Sequence, residues 1–525
     1  MVISEHQKKI LRNHFSAEEP FGPINAAEIE DAKVLELIFE QHNKLYKALR
    51  KRPNIVVGRK GAGKTSYLHS VFFEGVYDYK IELNTAKAFS SVIETIGSIK
   101  GRAIFAESIS DIWENVLFTG AFAELRKQLP KDSNARRLIN DYLAKIGVRD
   151  EGTFDDILWQ ITDIISEKAK SNTIQVVAEI LRALANNDFK SAHVALCEEL
   201  EKNNKRAVIL LDSLDDFQLN LADVSRAIQG LLKRIGESNK PSNRIDIRFC
   251  LPAELFHVFV PLSSNPNKDF KRKILLHWSS AELVMLAAHR LKLYSDLQIE
   301  NIPKDVDITD LSNKDSAQKI INSILPEKVT CRLGVDEDPL GYILRHTQLL
   351  PRHFLILLNS ICNKNRRVNY GGDCLRISEE AIVRGVRDME DMIVQEIFVA
   401  FEGQYPLAKK VCESCIPELH SKFTQGDLER VFRHKGKKPF QSDDFDDFQR
   451  MLIEIGAIGR VLDDQGRYIQ GEFEYTVPHK LVTSTDDLMC IHPLFSEIFN
   501  AKIRDRKPVY PYGSKVDDKD LRDIL

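Results

Sequence analysis

Along the first half of this chain, short runs that are apolar throughout alternate with longer stretches in which apolar residues return every three or four positions. The first pattern predicts strands buried on both faces, and the second predicts helices with one buried stripe. Asn54-Ile55-Val56-Val57, bounded upstream by Lys51-Arg52-Pro53, is of the first kind. Ala207-Val208-Ile209-Leu210-Leu211 is another and runs straight into Asp212. Ile245–Leu251 and Lys273–Trp278 follow, while Tyr79–Leu83 alternates as a half-buried strand does. A parallel sheet of about five strands is expected from these runs. Helical spacing over Asn220–Ile235 joins the strand that ends at Asp212 to the next one.

Helical periods fill most of the remainder. Asp31–Leu49 carries Val34, Leu35, Leu37, Ile38, Leu45 and Leu49 at helical spacing. Ala86 to Asn204 keeps that spacing long enough to read as a helical insertion between core strands, with Ile157, Leu158, Ile161, Ile164 and Ile165 as one stripe. At Ser279-Ser280-Ala281-Glu282 a serine can cap a helix whose positive first turn holds the glutamate. Residues 281–390 then read as a helical lid. From Met389 the pattern changes to helix-like runs at Leu407–Leu419, Thr424–Phe432 and Asp443–Ile455. Ile458–Leu462, a turn at Asp463-Asp464-Gln465-Gly466 and Phe473–Val477 come next, the outline of a winged helix over residues 391–500. Residues 501–525 form a charged, proline-containing tail that is expected to be mobile.

Between the first apolar run and the helical stretch Ser66–Phe73 lies Gly58-Arg59-Lys60-Gly61-Ala62-Gly63-Lys64-Thr65, a match to G-x4-G-K-T. Strand, loop and helix are the context a phosphate-binding loop needs. Its glycines let several N–H groups converge on one anion, and the following helix, from Ser66 onward, adds a positive end. Lys64 is a fixed charge for the β- and γ-phosphates of ATP, and the Thr65 hydroxyl can ligate Mg2+. Asp212 emerges at the carboxyl edge of the sheet, where open α/β folds bind ligands, and suits an acid that holds Mg2+ through water. The continuation Ser213-Leu214-Asp215-Asp216 offers two acids, Asp215 and Asp216, as base for the attacking water. Phe21 and Gly22 precede the first strand and are candidates to lie near adenine; a plain packing role is the alternative. Arg352 follows Pro351 at a helix start and either points at the γ-phosphate or is an ordinary surface arginine. The fold class expected is α/β: a P-loop NTPase core over residues 1–280 with an insertion at about 86–204, then lid, winged helix and tail.

Composition changes this picture little. The net charge of −3 gives no global attraction to nucleic acid or anionic lipid. No apolar run approaches the ~20 residues of a membrane-spanning helix, and the N-terminus lacks a signal-peptide core, so a cytoplasmic protein without membrane contact is expected. Eight cysteines are scattered, too sparsely for a disulfide framework. Cys412 and Cys415 form a C-x-x-C inside a helix-like run with no second pair nearby, which favours reduced structural thiols over zinc.

Together the loop Gly58–Thr65, the segment Asp212-Ser213-Leu214-Asp215-Asp216, the lid and the winged helix resemble the STAND branch of P-loop ATPases, close to AAA+ and origin-recognition ATPases. The small Ser213 after the first acid is typical of STAND proteins. Phe21-Gly22 with Ala27-Glu28, and Ile491-His492-Pro493-Leu494-Phe495, look like a bacterial subgroup linked to conflict and anti-phage systems. The resemblance implies a slow, Mg2+-dependent ATPase switch that self-assembles into a homo-oligomer or works with a separate effector. Two departures stand out. No repeat array follows residue 500, and the fourth strand runs into Leu251-Pro252-Ala253-Glu254 where a polar sensor is expected. The competing reading is a DNA-binding ATPase: Arg430, Arg433, Lys435, Lys437 and Lys438 crowd one stretch. Against it, the presumed recognition helix opens with Asp443, Asp444, Asp446 and Asp447, which repel phosphate, so protein contacts are favoured for the winged helix.

Overall fold

The computed structural model describes residues 3–29, 31–39, 44–49, 51–98, 106–146, 187–212, 222–238, 243–263, 265–297, 311, 313–369, 375–476, 480–503 and 505–515. They form two compact units: residues 41–59 with 64–276, and residues 1–40, 60–63 and 277–525. The stripe Ile157–Ile165 lies outside the described residues.

The first unit is built on a five-stranded parallel sheet of β1 (Ile55–Gly58), β2 (Tyr79–Leu83), β3 (Ala207–Leu211), β4 (Ile245–Pro252) and β5 (Lys273–Leu276), in the order β2-β3-β4-β1-β5. Every residue of β1, β3 and β4 is buried; β1 and β3 accordingly read as unbroken apolar runs, while β4 alternates apolar residues with Asp246 and Arg248. Alternate residues, among them Ile55, Val57, Ile209, Leu211, Ile247 and Phe249, enter one core with the helices Ala106–Gln128 and Ala222–Ser238. Within that core the indole of Trp113 donates to the Ala227 carbonyl at 2.8 Å, so its polar atom is satisfied. The insertion is helical where described: Thr85–Ser98, Ala106–Gln128, Asn134–Lys145 and Asn187–Lys202. Two buried charges on β4 are compensated at the opposite face. Asp246 accepts from Tyr77 at 3.0 Å and from Arg272 at 3.0 Å, and Arg248 pairs with Glu74 at 2.8 Å.

The second unit carries the helices Ser280–Asp296, Lys314–Ile324, Pro339–Arg345, Pro351–Asn369 and Glu379–Phe401. The first starts in a full capping box, with Ser279 and Glu282 satisfying each other's backbone N–H groups. Gly385 lets the last two approach closely, since a Cβ there would stand 2.7 Å from the Ile361 Cα. Residues 281–390 are not wholly helical, because β6 (Val329–Thr330) and β7 (Asp336–Glu337) form a small antiparallel ladder.

Helices Ala408–Cys415, Gln425–Val431 and Phe445–Glu454 follow, with a sheet ordered β12-β10-β9-β11-β8. Its strands are β8 (Lys422–Thr424), β9 (Ile458–Asp463), β10 (Ile469–Glu472), β11 (Leu488–Ile491) and β12 (Val509–Pro511). This is a winged-helix arrangement with two differences from the sequence expectation. The returning strand of the hairpin is Ile469–Glu472, whereas Glu474–Thr476 is a tight helical turn. The turn is held because the Phe473 N–H donates to the Thr476 hydroxyl, which donates back to the Phe473 carbonyl. Part of the expected mobile tail is instead β12, parallel to β10. Tyr510 anchors it, buried against Glu337 and Arg345. No described helix is long and apolar enough to cross a membrane.

Candidate phosphate-binding site

The glycine-rich loop leaves the carboxyl end of β1 and leads into the helix Lys64–His69. Gly61 (φ +85°) and Gly63 (φ +90°) turn the backbone through the region that side chains disfavour. Gly58 is held between Leu276 and the Lys64 stem, with a Cβ there 3.1 Å from the Leu276 Cβ. In the sheet unit, Lys64 is buried and its Nζ lies 3.5 Å from the Arg59 carbonyl. The Cys250 thiol of β4 contacts the Lys64 carbonyl at 3.7 Å. Thr65 and Ser66 occupy the first turn of the helix, both half-buried.

Asp212 sits just past the end of β3, and the Thr65 hydroxyl donates to its Oδ2 at 3.0 Å. Two residues 147 positions apart are thereby brought into one oxygen-rich site, of the hard donors that Mg2+ takes. The pair fits a hydrated Mg2+. Asp215 and Asp216 lie outside the described residues.

Sequence reasoning missed several neighbours in this unit. Arg59 of the loop is 3.8 Å from the carboxylate of Glu254, which is buried just beyond β4. His69 at the end of the helix meets Glu82 of β2 at 2.9 Å. The Glu82 hydrogen bond holds His69 above its ordinary value against the effect of burial, and the charges of Glu82 and Asp212 add to the rise. Glu82 is lowered by the same hydrogen bond, again against burial.

The tip of the loop, residues 60–63, belongs to the second unit. There the backbone N–H of Arg352, in the first turn of Pro351–Asn369, donates to the Gly61 carbonyl at 3.3 Å. A Cβ on Gly61 would stand 3.2 Å from the Arg352 Cβ. The indole N–H of Trp278 donates to the Ala62 carbonyl at 3.0 Å. The side chain of Lys60 is half-buried. Phe21 and Gly22 are fastened to the same helix as Arg352: Asn359 accepts from the Phe21 N–H and donates to the Gly22 carbonyl, each at 3.0 Å. Asn359 is seven residues beyond Arg352, two turns or about 10 Å along the helix. The Phe21 ring is wholly buried, and Gly22 (φ +70°) passes so close to Phe15 that no side chain fits.

Four of the five basic residues of this winged-helix stretch stand beside carboxylates. Arg430 pairs with Asp427 at 3.2 Å, Arg433 with Glu429, Lys435 with Glu418 at 3.8 Å and Lys437 with Asp443 at 2.8 Å. Cys412 and Cys415 are buried, and burial raises both thiols, Cys415 to about 12.

A glycine loop after β1, a lysine and threonine opening the next helix, and an acid at the end of β3 in a parallel sheet define a P-loop NTPase fold with an appended winged helix. No protein-family model matches the sequence, and no curated protein does. Among solved structures, the ORC2 protein of Aeropyrum pernix in its ADPNP–ADP complexes is similar over 85% of this chain and 86% of that chain, at 11% identity and a TM-score of 0.37. Cdc6p from Pyrobaculum aerophilum is similar over 92% and 96%, at 12% identity and a TM-score of 0.28. The ADP form of the Aeropyrum pernix ORC2 protein gives 90% and 92%, 11% and 0.28. Likeness this distant does not say what the present chain binds.

Proposed function

We propose that this chain binds and slowly hydrolyses ATP with Mg2+ and works as a molecular switch. The observation that carries this reading is the 3.0 Å contact from the Thr65 hydroxyl to Asp212 beside a complete phosphate loop. Lys64 supplies charge to the β- and γ-phosphates, while the loop N–H groups cradle them. Bound Mg2+ would neutralise developing charge on the phosphates. Thr65 and Asp212 would hold that ion, Asp212 through water, and Asp215 or Asp216 would orient or deprotonate the attacking water. Arg352 reaches the γ-phosphate from the helix that touches Gly61, and Phe21 with Gly22 flank the base. The finer reading is a regulatory ATPase of a bacterial defence system, acting as a homo-oligomer or with a separate effector protein; the resemblance to STAND ATPases is its support. Nucleic acid is not part of the proposal, because four of the five basic residues of the stretch at 430–438 already have carboxylate partners.

Lys64→Ala tests the binding site: ATP-induced thermal stabilisation should vanish while the nucleotide-free melting temperature holds, and unchanged ATP affinity would overturn the assignment. Comparing Asp212→Asn, Asp215→Asn and Asp216→Asn separates the acids. The first should load Mg·ATP poorly. Whichever of the others is the base should bind ATP normally and turn over roughly 10²–10⁴-fold more slowly.

A further inference from the structure

We propose that Trp278 is a positioning residue for the phosphate loop, fixing the Ala62–Gly63 peptide so that its N–H faces the bound phosphate. This rests on the nucleotide-binding reading above. In a trans peptide the C=O and the next residue's N–H point in opposite directions. Whatever holds the carbonyl outward therefore aims the N–H inward. The Ala62 carbonyl is held by the Trp278 indole at 3.0 Å, and the Gly61 carbonyl by the Arg352 backbone N–H at 3.3 Å. Two successive peptides of the loop are thus oriented from outside, presenting the N–H groups of Ala62 and Gly63 on the other side. The loop needs this help because glycine gives up more conformational freedom than any other residue on ordering. Gly63 in particular has nothing within 4 Å of the place a Cβ would take. No side chain packs on that side of it, and the Ala62 carbonyl one residue back is a contact that fixes its N–H.

Trp278 is well suited to the task. Its residue exposure is 6%, so the indole is clamped, and an indole nitrogen can only donate. Losing it would free the peptide and leave a buried carbonyl unpaired. Trp113 provides an internal control, since its buried indole makes an equivalent hydrogen bond to Ala227 at 2.8 Å, inside the helical core.

The experiment compares full-length wild type, Trp278→Phe and Trp113→Phe. ATP and ADP affinities are measured by calorimetry, and amide exchange of the peptide covering residues 58–66 is followed without nucleotide. We expect Trp278→Phe to bind both nucleotides roughly ten-fold more weakly and its loop amides to exchange roughly ten-fold faster, the scale of one lost hydrogen bond. Trp113→Phe should lose stability yet keep wild-type affinity and loop exchange. Equal nucleotide affinity in Trp278→Phe and wild type overturns the proposal, as does an equal affinity loss in both variants. If wild type itself binds no nucleotide, the ATPase reading fails; faster loop exchange in Trp278→Phe then still supports loop positioning, and unchanged exchange overturns it. Should Trp278→Phe not fold, Trp278→Tyr, which also lacks the indole N–H, is read by the same measures.

Discussion

Replacing Glu337 by glutamine removes one charge from a buried cluster and should destabilise the lid-bearing unit by about 3–5 kcal/mol, the cost of leaving a buried ion without its partner. Arg345 Nε and Nη2 donate to the two Glu337 oxygens at 2.9 and 3.0 Å, and the Tyr510 hydroxyl donates to the same carboxylate. Arg345 is 4% exposed and Glu337 7%. Burial alone would lower Arg345, but the Glu337 carboxylate, with Tyr510 and Tyr342, raises it above its ordinary value. Glutamine keeps one acceptor but turns an N–H2 toward a guanidinium that needs none. A chain of this length unfolds in several steps, so the effect is best read locally. Amide exchange over residues 336–346 and 508–512 should lose roughly a hundred- to several-thousandfold of its protection, since about 1.4 kcal/mol is tenfold. Glu337→Gln combined with Arg345→Met should recover most of it, because no buried charge is then stranded. A loss under tenfold in the single variant, or a double variant no better than the single, would refute this account.

Three further outcomes are expected. Wild type should bind duplex DNA weakly and with a shallow salt dependence, whereas Asp427→Asn with Glu429→Gln and Glu418→Gln, which frees Arg430, Arg433 and Lys435, should bind more tightly and with a steeper one; tight, salt-sensitive binding by wild type would restore the DNA reading. His69, raised in the fold, contributes stability below its ordinary value of 6.5 and loses it as pH rises through the raised value; Glu82, lowered in the fold, contributes above 4.5 and loses it as pH falls. The coupling from a His69→Asn and Glu82→Gln double-mutant cycle should therefore peak between those two values, at most about 1 kcal/mol for so exposed a carboxylate, and vanish by pH 9. Gly61→Ala must hold φ near +85° against roughly 1–2 kcal/mol of backbone strain, so ATP should stabilise that variant markedly less than wild type; undiminished stabilisation would show that the loop tip is slack.

The sheet was legible because parallel strands covered on both faces are rich in apolar residues: β1 and β3 announce themselves as apolar runs, and β4 is apolar except at Asp246 and Arg248. The phosphate loop was legible for a different reason: its chemistry is local, with glycines, lysine and threonine in one octet. What was not legible depends on residues far apart in the chain. Nothing in the sequence marks Trp278 as a donor to Ala62, or Glu254 as the partner of Arg59, because each follows from strand order rather than from spacing. The strand at Val509–Pro511 was hidden by the charges and prolines around it, and its stability comes from Tyr510 reaching Glu337 across 173 residues. The partners of the basic stretch at 430–438 were hidden in part for the same reason. Two of its four partners are acids a turn away on the same helix, but Glu418 and Asp443 come from neighbouring segments.

The segment from Arg345 to Arg352 brings these threads together. It breaks the helical pattern, yet each of its residues but Arg352 is buried, so its polar groups must be satisfied inside the protein. They are. His346 Nδ1 meets the Tyr342 carbonyl at 2.7 Å, the Thr347 hydroxyl donates to Leu344 at 2.7 Å and accepts from Leu349 at 3.0 Å, and Gln348 Nε2 donates to the Ile455 carbonyl at 3.0 Å. Leu349 is held at φ +51°, a strain for leucine that persists only where its surroundings fix it. The adjoining Gly456 sits at φ +74°, and a Cβ there would come 2.6 Å from Gln348 Nε2 and displace it. One end of the turn thus rests on the helix–strand junction of the winged-helix domain, and the other carries Arg352 against the Gly61 carbonyl. A buried turn held by these hydrogen bonds, with one residue strained, has little slack to absorb a shift. Within this unit, the turn therefore joins the Gly61 carbonyl, held by the Arg352 N–H, to the Ile455 carbonyl, held by Gln348.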